Sequence, residues 1–554
     1  MTADRTGPRT PRPVAGTRDA GRRNLATTGG AVGLRRGGAV GQEPSVLARL
    51  AEHPRTAVLL LGLAAFLGAL LLRLVLLSRS YDIFVDEVTY LAISNNVARG
   101  LGVTLHGQPF LLHPPLFFLI EAAFLHLFPP GGLIVDQVVQ VRILNAFLGA
   151  VTAVVLLTTA TVAARDIRAG AITFLLFAVD PFIVRINSRN LIETSVLLWV
   201  LFGYLVLLTA PRGPLSRGRT LVAGILFGLA LLSKEMSAFL TLLPMAILWL
   251  TGWFGRRRDP LAVALVAAAL YAVYPVGSVL AGVGPAFVTD KLSGLLRFLG
   301  VVRTTGFKPS GGPSFLAAII ANADVFATTY ALIALGIPAC AALLRWGDRP
   351  RRLLGVLGLS AYALLAYSIG FGTLEEQFFY YLVMPAILSV PVAWFLVIRE
   401  VRQRSWSFPA LARTAVAVGG VVAPVALAMS VAWSTFIWLE VHLTPDNGYQ
   451  QLMGYMRSHI PNGAAIGVTS DPQQFVLQGY RIDKVYTSAD VQRTKVSYVV
   501  VSTKQIQDGY VPGGAALYAW LRAHGQPMYL FRGATYGDLE IFRVRSLSAS
   551  TPGG

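Results

Sequence analysis

Two adjacent acids, Asp86 and Glu87, stand just past the end of a long apolar run, and Tyr90 follows one helical turn later. His106, His113 and a proline pair, Pro114–Pro115, complete the same polar stretch. A carboxylate in this company can take a proton from a hydroxyl as its oxygen attacks carbon, which is general-base chemistry. The competing reading is electrostatic, because an acid in the first turn of a helix suits the positive end of its dipole. Two histidines with acids nearby also form a candidate site for a divalent cation. No nucleotide-sugar Asp-x-Asp motif is present, and no cofactor is expected.

Other candidates are charges set against apolar sequence, where they are costly and often functional. Lys234 lies between two apolar runs with Glu235 beside it. Arg185 and Arg189 close another run, with Glu193 just beyond, so an Arg–Glu ion pair is the plainer reading there. Residues 284–313 carry Lys291, Arg297, Arg303 and Lys308 against one acid, Asp290. Glu375, Glu376, Tyr380 and Tyr381 mark a further helix end, where aromatics are expected as an interfacial belt.

The elements that must position these residues are apolar helices. The 554-residue chain is 54% hydrophobic and 14% charged, against about 25% charged in ordinary soluble proteins. Apolar runs near the ~20 residues needed to cross a bilayer recur from Ala57 onward. They predict about eleven spans, near 57–77, 141–163, 169–184, 191–210, 220–233, 236–254, 260–283, 314–344, 352–370, 378–398 and 411–438. The net charge of +19 does not point to nucleic acid, because the arginines sit in the N-terminal tail and in short turns between runs. Turns at Arg165–Arg168, Arg212–Arg219, Arg256–Arg258, Arg345–Arg352 and Arg399–Arg413 each follow an even number of spans. The positive-inside rule then puts the N-terminus and these turns in the cytoplasm of a multi-pass cell-membrane protein. Lone Cys340, inside an apolar run, excludes an internal disulfide.

The fold class expected is an all-α polytopic membrane protein with a small C-terminal extracytoplasmic α/β domain. Residues 1–50 form a basic tail expected to be disordered, 51–438 the transmembrane domain, 439–546 the α/β domain and 547–554 a flexible tail. Residues 78–140 and 284–313 are the large outer loops. Within the first loop, one helix is expected from near Asp86 to Gly100 and another from Pro114–Pro115. In the last domain, strands are expected at 465–469, 497–502 and 539–544, and helices at 448–459 and 515–523.

The segment DEVTYLAIS, from Asp86 to Ser94, resembles the Asp-Glu motif in the first outer loop of the glycosyltransferase C superfamily. The likeness is greatest to family 39, with its protein O-mannosyltransferases, and to the lipid A aminoarabinose transferases. His113–Leu116 resembles the family's Lys-Pro-Pro-Leu motif with histidine in place of lysine, and Thr89 stands where a basic residue is common. SRNLIET (Ser188–Thr194), SKEMSAFLTLLP (Ser233–Pro244) and EEQFFYYLVMPAIL (Glu375–Leu388) resemble later family segments in the same order. The resemblance implies that Asp86, with Glu87, is the catalytic base. It matches Tyr90 to a family tyrosine and gives His113 the carrier phosphate, while Lys234, Arg189, Arg303, Glu376 and Tyr380 are candidates for the donor's phosphate and sugar from their own charge, chemistry and placement.

The implied activity is inverting transfer of a sugar from a polyprenyl-phosphate donor to a hydroxyl of a protein, glycan or lipid, outside the membrane. Phosphate leaves readily, so one carboxylate suffices, whereas a glycosidase needs two. Partners are then the lipid-linked donor, the acceptor and membrane lipids. The alternatives are a polytopic transporter or lipid flippase, which would favour internal repeats and midplane charges, and a membrane scaffold without catalysis.

Overall fold

The computed structural model describes residues 54–211, 213–301, 314–371, 377–403, 410–477 and 479–544. The chain divides into units Met1–Ala57 and Val58–Gly554. Only the last residues of the first unit are described, so the architecture is that of the second. The expected tails 1–50 and 547–554, together with Arg303, Lys308, Glu375 and Glu376, lie outside the described residues.

Helices coincide with every expected span. The run around 57–77 is α1 (Pro54–Leu74). The first loop then supplies α2 (Val85–Ala98) and α3 (Leu116–Leu127). Next comes the long α4 (Ile134–Ala164), which lacks both proline and a central break and stops where Arg165 turns left-handed. The expected span 169–184 is instead two helices, α5 (Ile167–Val179) and α6 (Pro181–Asn187), bent by 67°. Asp180 causes the break: its side chain accepts from the Ile183 N–H, and Pro181 opens the second piece. Beyond it run α7 (Ile192–Leu208), α8 (Arg217–Ser233), α9 (Leu242–Thr251) and α10 (Arg258–Leu280). The second loop contains α11 (Gly284–Phe298), followed by α12 (Phe315–Ala321) and α13 (Ala323–Trp346). The membrane part ends with α14 (Arg349–Gly370), α15 (Phe378–Gln403) and α16 (Ala410–Leu443).

Among the described residues, six helices are long and apolar enough to cross a membrane, or seven if the α5–α6 pair is one span. The others that match expected spans are shorter, so the structure does not by itself give eleven crossings. Close helix contact uses small residues, as expected in lipid. Gly224 and Gly228 of α8 face α10, and a Cβ at either would come within 2.5 Å of Val266 Cβ or 2.8 Å of Leu270 Cβ.

The basic turns gather at one end of the bundle. Arg165 pairs with Asp348 at 2.9 Å, and Arg351 donates to the Ala163 carbonyl. Arg349 donates to the Gly213 carbonyl and stacks over Phe254, while the Leu215 N–H bonds Asp259. Four separate turns thus share one surface, as the charge pattern requires.

The last part of the chain begins at Gly448, because α16 continues to Leu443 rather than stopping at 438. It contains α17 (Gly448–His459) and a five-stranded sheet in the order β4-β3-β5-β7-β6. Here β3 is Ala465–Val468, β4 Arg481–Lys484, β5 Tyr498–Ser502, β6 Gln526–Gly533 and β7 Gly537–Arg543. Strands β4, β3 and β5 are parallel, and β7 and β6 are antiparallel. Alternation along β5 divides its valines. Val499 and Val501 pack with Leu517 and Leu521 of α18 (Gly514–His524). Val500 points to the other face, which shares one core with Ile83, Val88 and Leu91 of the first loop and with Val138 and Val141 of α4. A short hairpin of β1 (Thr104–Leu105) and β2 (Gln108–Pro109) separates α2 from α3. The sheet therefore sits on the first loop as part of its packing, not as a detached module.

Candidate active site around the first loop

Helix α2 starts with its own cap. The Glu87 carboxylate turns back to accept the Phe84 N–H at 2.9 Å, satisfying a donor that the helix leaves orphaned. The same carboxylate is fully buried and takes a two-pronged contact from Arg142 of α4, at 2.8 and 2.7 Å. It also accepts the Asn190 N–H at 2.8 Å. Arg142 uses its other donors on the carbonyls of Tyr81 and Asp82. Burial pushes the Glu87 carboxyl up, but the Arg142 guanidinium and the Asn190 N–H outweigh it and hold its pKa below the ordinary value. An acid so engaged has no room for a substrate proton. Glu87 thus caps the helix start and is held by α4, while Asp86 beside it in sequence has other contacts.

Asp86 is less buried than Glu87. It is half-buried, and Gln377 at the start of α15 donates to its Oδ2 at 3.4 Å. One turn along α2, Tyr90 lies on the same side of the helix. Its ring meets the His113 ring edge-on at 6.1 Å, so Asp86, Tyr90 and His113 form a row. Phe117 and Phe118 close in behind Tyr90.

The His113 turn is held from two elements. Tyr274 of α10 donates to the carbonyls of Leu111 and His113, and Lys291 of α11 donates to that of Leu112. Lys291 also pairs with Glu235, which accepts from Tyr271 as well. Lys234 ends α8 in an extended conformation, and its ammonium bonds Glu193 of α7 at 2.6 Å. Glu193 thus pairs with Lys234, and Glu235 with Lys291. Burial, then the charges of Lys234, Lys291 and Arg297, push His113 well below the usual imidazole range.

Arg189 and Tyr380 stand apart from this cationic group. The Arg189 guanidinium lies over the rings of Tyr81 and Phe84 and donates to Thr535 of the C-terminal sheet unit. Tyr380 is fully buried, and its hydroxyl accepts from Asn187 at 2.6 Å. Asn187 in turn accepts from Arg73. Both residues brace the scaffold rather than line an open face. His106 stacks on Phe475 of the sheet unit, and no group of three metal-ligating side chains meets among the described residues.

Sequence reasoning missed Arg142, Asn190, Glu121 and Asp82. Glu121 of α3 is fully buried and accepts from the Asn190 amide at 3.0 Å. Burial raises its carboxyl to about 8, so it carries a proton at neutral pH. Asp82 accepts the N–H groups of Ile83 and Tyr449, tying the loop to α17. Burial and the nearby Asp446 charge raise it from 3.8 to about 7. Because the folded value is the higher one, its stabilising effect is complete near pH 4 and is lost as pH rises toward 7. Asp82→Asn is expected to flatten the thermal-midpoint curve between about pH 4 and pH 7, with the wild-type midpoint falling over that range. An unchanged slope in scanning fluorimetry would refute this role for Asp82.

A sequence model of the dolichyl-phosphate-mannose-protein mannosyltransferases matches residues 132–273. No curated protein matches the sequence significantly. Among solved structures, ArnT from Cupriavidus metallidurans bound to undecaprenyl phosphate is similar, at 15% identity and a TM-score of 0.52, over 88% of this chain and 98% of that one. AglB from Archaeoglobus fulgidus, an archaeal oligosaccharyltransferase in complex with an inhibitory peptide and a dolichol-phosphate, is similar at 14% identity and a TM-score of 0.56. That likeness covers 89% of this chain and 74% of AglB. The chain thus shares the fold of ArnT and AglB, and its residues 132–273 match the model of the dolichyl-phosphate-mannose-protein mannosyltransferases.

Proposed function

We propose that the protein transfers a sugar from a polyprenyl-phosphate donor to an acceptor hydroxyl, with inversion, on the outer face of the cytoplasmic membrane. The observation that carries this reading is the contrast within the acid pair. Glu87 is consumed by Arg142, Asn190 and Phe84, while Asp86 remains half-buried in a row that leads through Tyr90 to the cationic turn at His113. A base and a phosphate site at the two ends of one row suit in-line displacement. Asp86 takes the acceptor proton, and the cations Lys234, Lys291 and Arg297 beside the His113 turn stabilise the charge that grows on the leaving phosphate.

The resemblance of DEVTYLAIS and HPPL to the superfamily motifs supports the same assignment, as does the lipid phosphate bound by similarly folded ArnT. Clustering of the basic turns at one end supports the outer location of the row through the positive-inside rule. Protein, glycan and lipid acceptors all fit a hydroxyl nucleophile.

The test is transfer from a panel of polyprenyl-phosphate pentoses and hexoses, radiolabelled in the sugar, by purified protein with membrane extract as acceptor source. Label is expected in a product whose anomeric configuration is opposite to the donor's. Retention of configuration would remove single displacement. Absence of transfer across the panel, from folded protein that also fails to bind the lipid phosphate, would remove the glycosyltransferase reading.

A further inference from the structure

In the resembled motif a lysine precedes the two prolines, and this chain has His113 there. A lysine is charged throughout the reaction, whereas a histidine is not. Its surroundings make the difference matter. His113 faces Tyr90 of α2, Lys234 with Glu235 at the end of α8, Tyr274 of α10, and Lys291 and Arg297 of α11. Of the acids nearby, Glu193 is engaged by Lys234 and Glu235 by Lys291, while Asp290 of α11 acts on Tyr274. Buried beside these three cations, the ring is neutral until an anion arrives. The backbone of the turn is pinned at Leu111, Leu112 and His113, so the ring cannot swing away without breaking those bonds.

The charge on a carrier phosphate changes during transfer. The donor is a phosphodiester with one negative charge. As the acceptor oxygen bonds the anomeric carbon, the carbon–oxygen bond to phosphate breaks and its electron pair stays on the phosphate oxygen. The acceptor proton goes to Asp86. What remains is a phosphomonoester, doubly charged above a pKa of about 6. We propose that His113 answers this change: it holds the donor diester as neutral imidazole and takes a proton from solvent as the monoester forms, leaving imidazolium against dianion. The inference rests on the lipid-phosphate reading above and adds a catalytic ligand whose charge follows the reaction.

Two consequences separate this from a fixed cationic site. Binding of a monoester should take up a proton, and binding of a diester should not. Affinity for the monoester should fall with rising pH, by as much as about tenfold per unit where uptake is complete.

The experiment uses the purified full-length protein with farnesyl phosphate and its methyl diester as probes, at pH 7 to 8.5. Affinity is read by calorimetry and proton uptake from the heats in buffers of different ionisation enthalpy. Expected for wild type is uptake approaching one proton with the monoester and little with the diester. His113→Lys should bind both without uptake and with flat pH dependence. His113→Gln should bind the monoester more weakly, again without uptake, and guards against a misfolded lysine variant. Monoester binding by wild type without uptake overturns the inference alone. Equal uptake by wild type and His113→Gln also overturns it, because the proton then goes elsewhere. If wild type binds neither probe, the lipid-phosphate reading falls and the inference falls with it.

Discussion

Asp86→Asn is expected to lower sugar transfer by roughly 10²- to 10⁴-fold, the usual contribution of a positioned base. Asparagine keeps the shape and the contact with Gln377 but cannot accept a proton. The α2 start should survive, because its cap is the adjacent Glu87 and not Asp86. Binding of polyprenyl phosphate should therefore change little while turnover collapses, and the two readouts together make the assignment. Wild-type turnover by Asp86→Asn would take the base role away from Asp86. Since Glu87 is bound on both oxygens, Glu376 would be the next residue to replace.

The second large effect concerns stability. Arg142→Leu is expected to destabilise the protein by about 3–5 kcal/mol, because it strands the buried Glu87 charge. It also frees the carbonyls of Tyr81 and Asp82. A lowered melting midpoint, read by intrinsic fluorescence in detergent, is the check. The double variant Glu87→Leu with Arg142→Leu should regain part of the loss, since a pair of apolar side chains removes the stranded charge. Were the double variant no better than Arg142→Leu, the pair would not be the source of the effect.

These two residues also show what could be read from the sequence. Asp86 and Glu87 announce themselves as a pair, yet composition cannot say which acid is tied to the bundle by an arginine. The answer lies in Arg142, 55 residues away and inside an apolar run, where it registers only as an interruption. Glu193 and Lys234, 41 residues apart, stand singly in the sequence for the same reason. Helices were legible because apolar stretches without proline or glycine clusters have few alternatives in lipid. The break at Asp180–Pro181 was not, since apolar residues continue on both sides of it. In the sheet, the apolar strands β3, β5 and β7 stood out. The edge strands β4 and β6 did not: RIDK is mostly polar, and QPMYLFRG contains proline and is exposed along much of its length.

The seat of the sheet on the first loop carries a consequence for biogenesis. The Tyr536 hydroxyl donates to the Ile83 carbonyl across 453 positions of sequence, and Thr535 reaches Arg189 across 346. Synthesis runs from the N-terminus, so the acid pair leaves the ribosome long before its cover exists. During that interval Ile83, Val88 and Leu91 lack the apolar face that later buries them. The first loop is consequently among the last parts to be completed, and a nascent chain cut short anywhere before the final strands leaves it without its apolar cover.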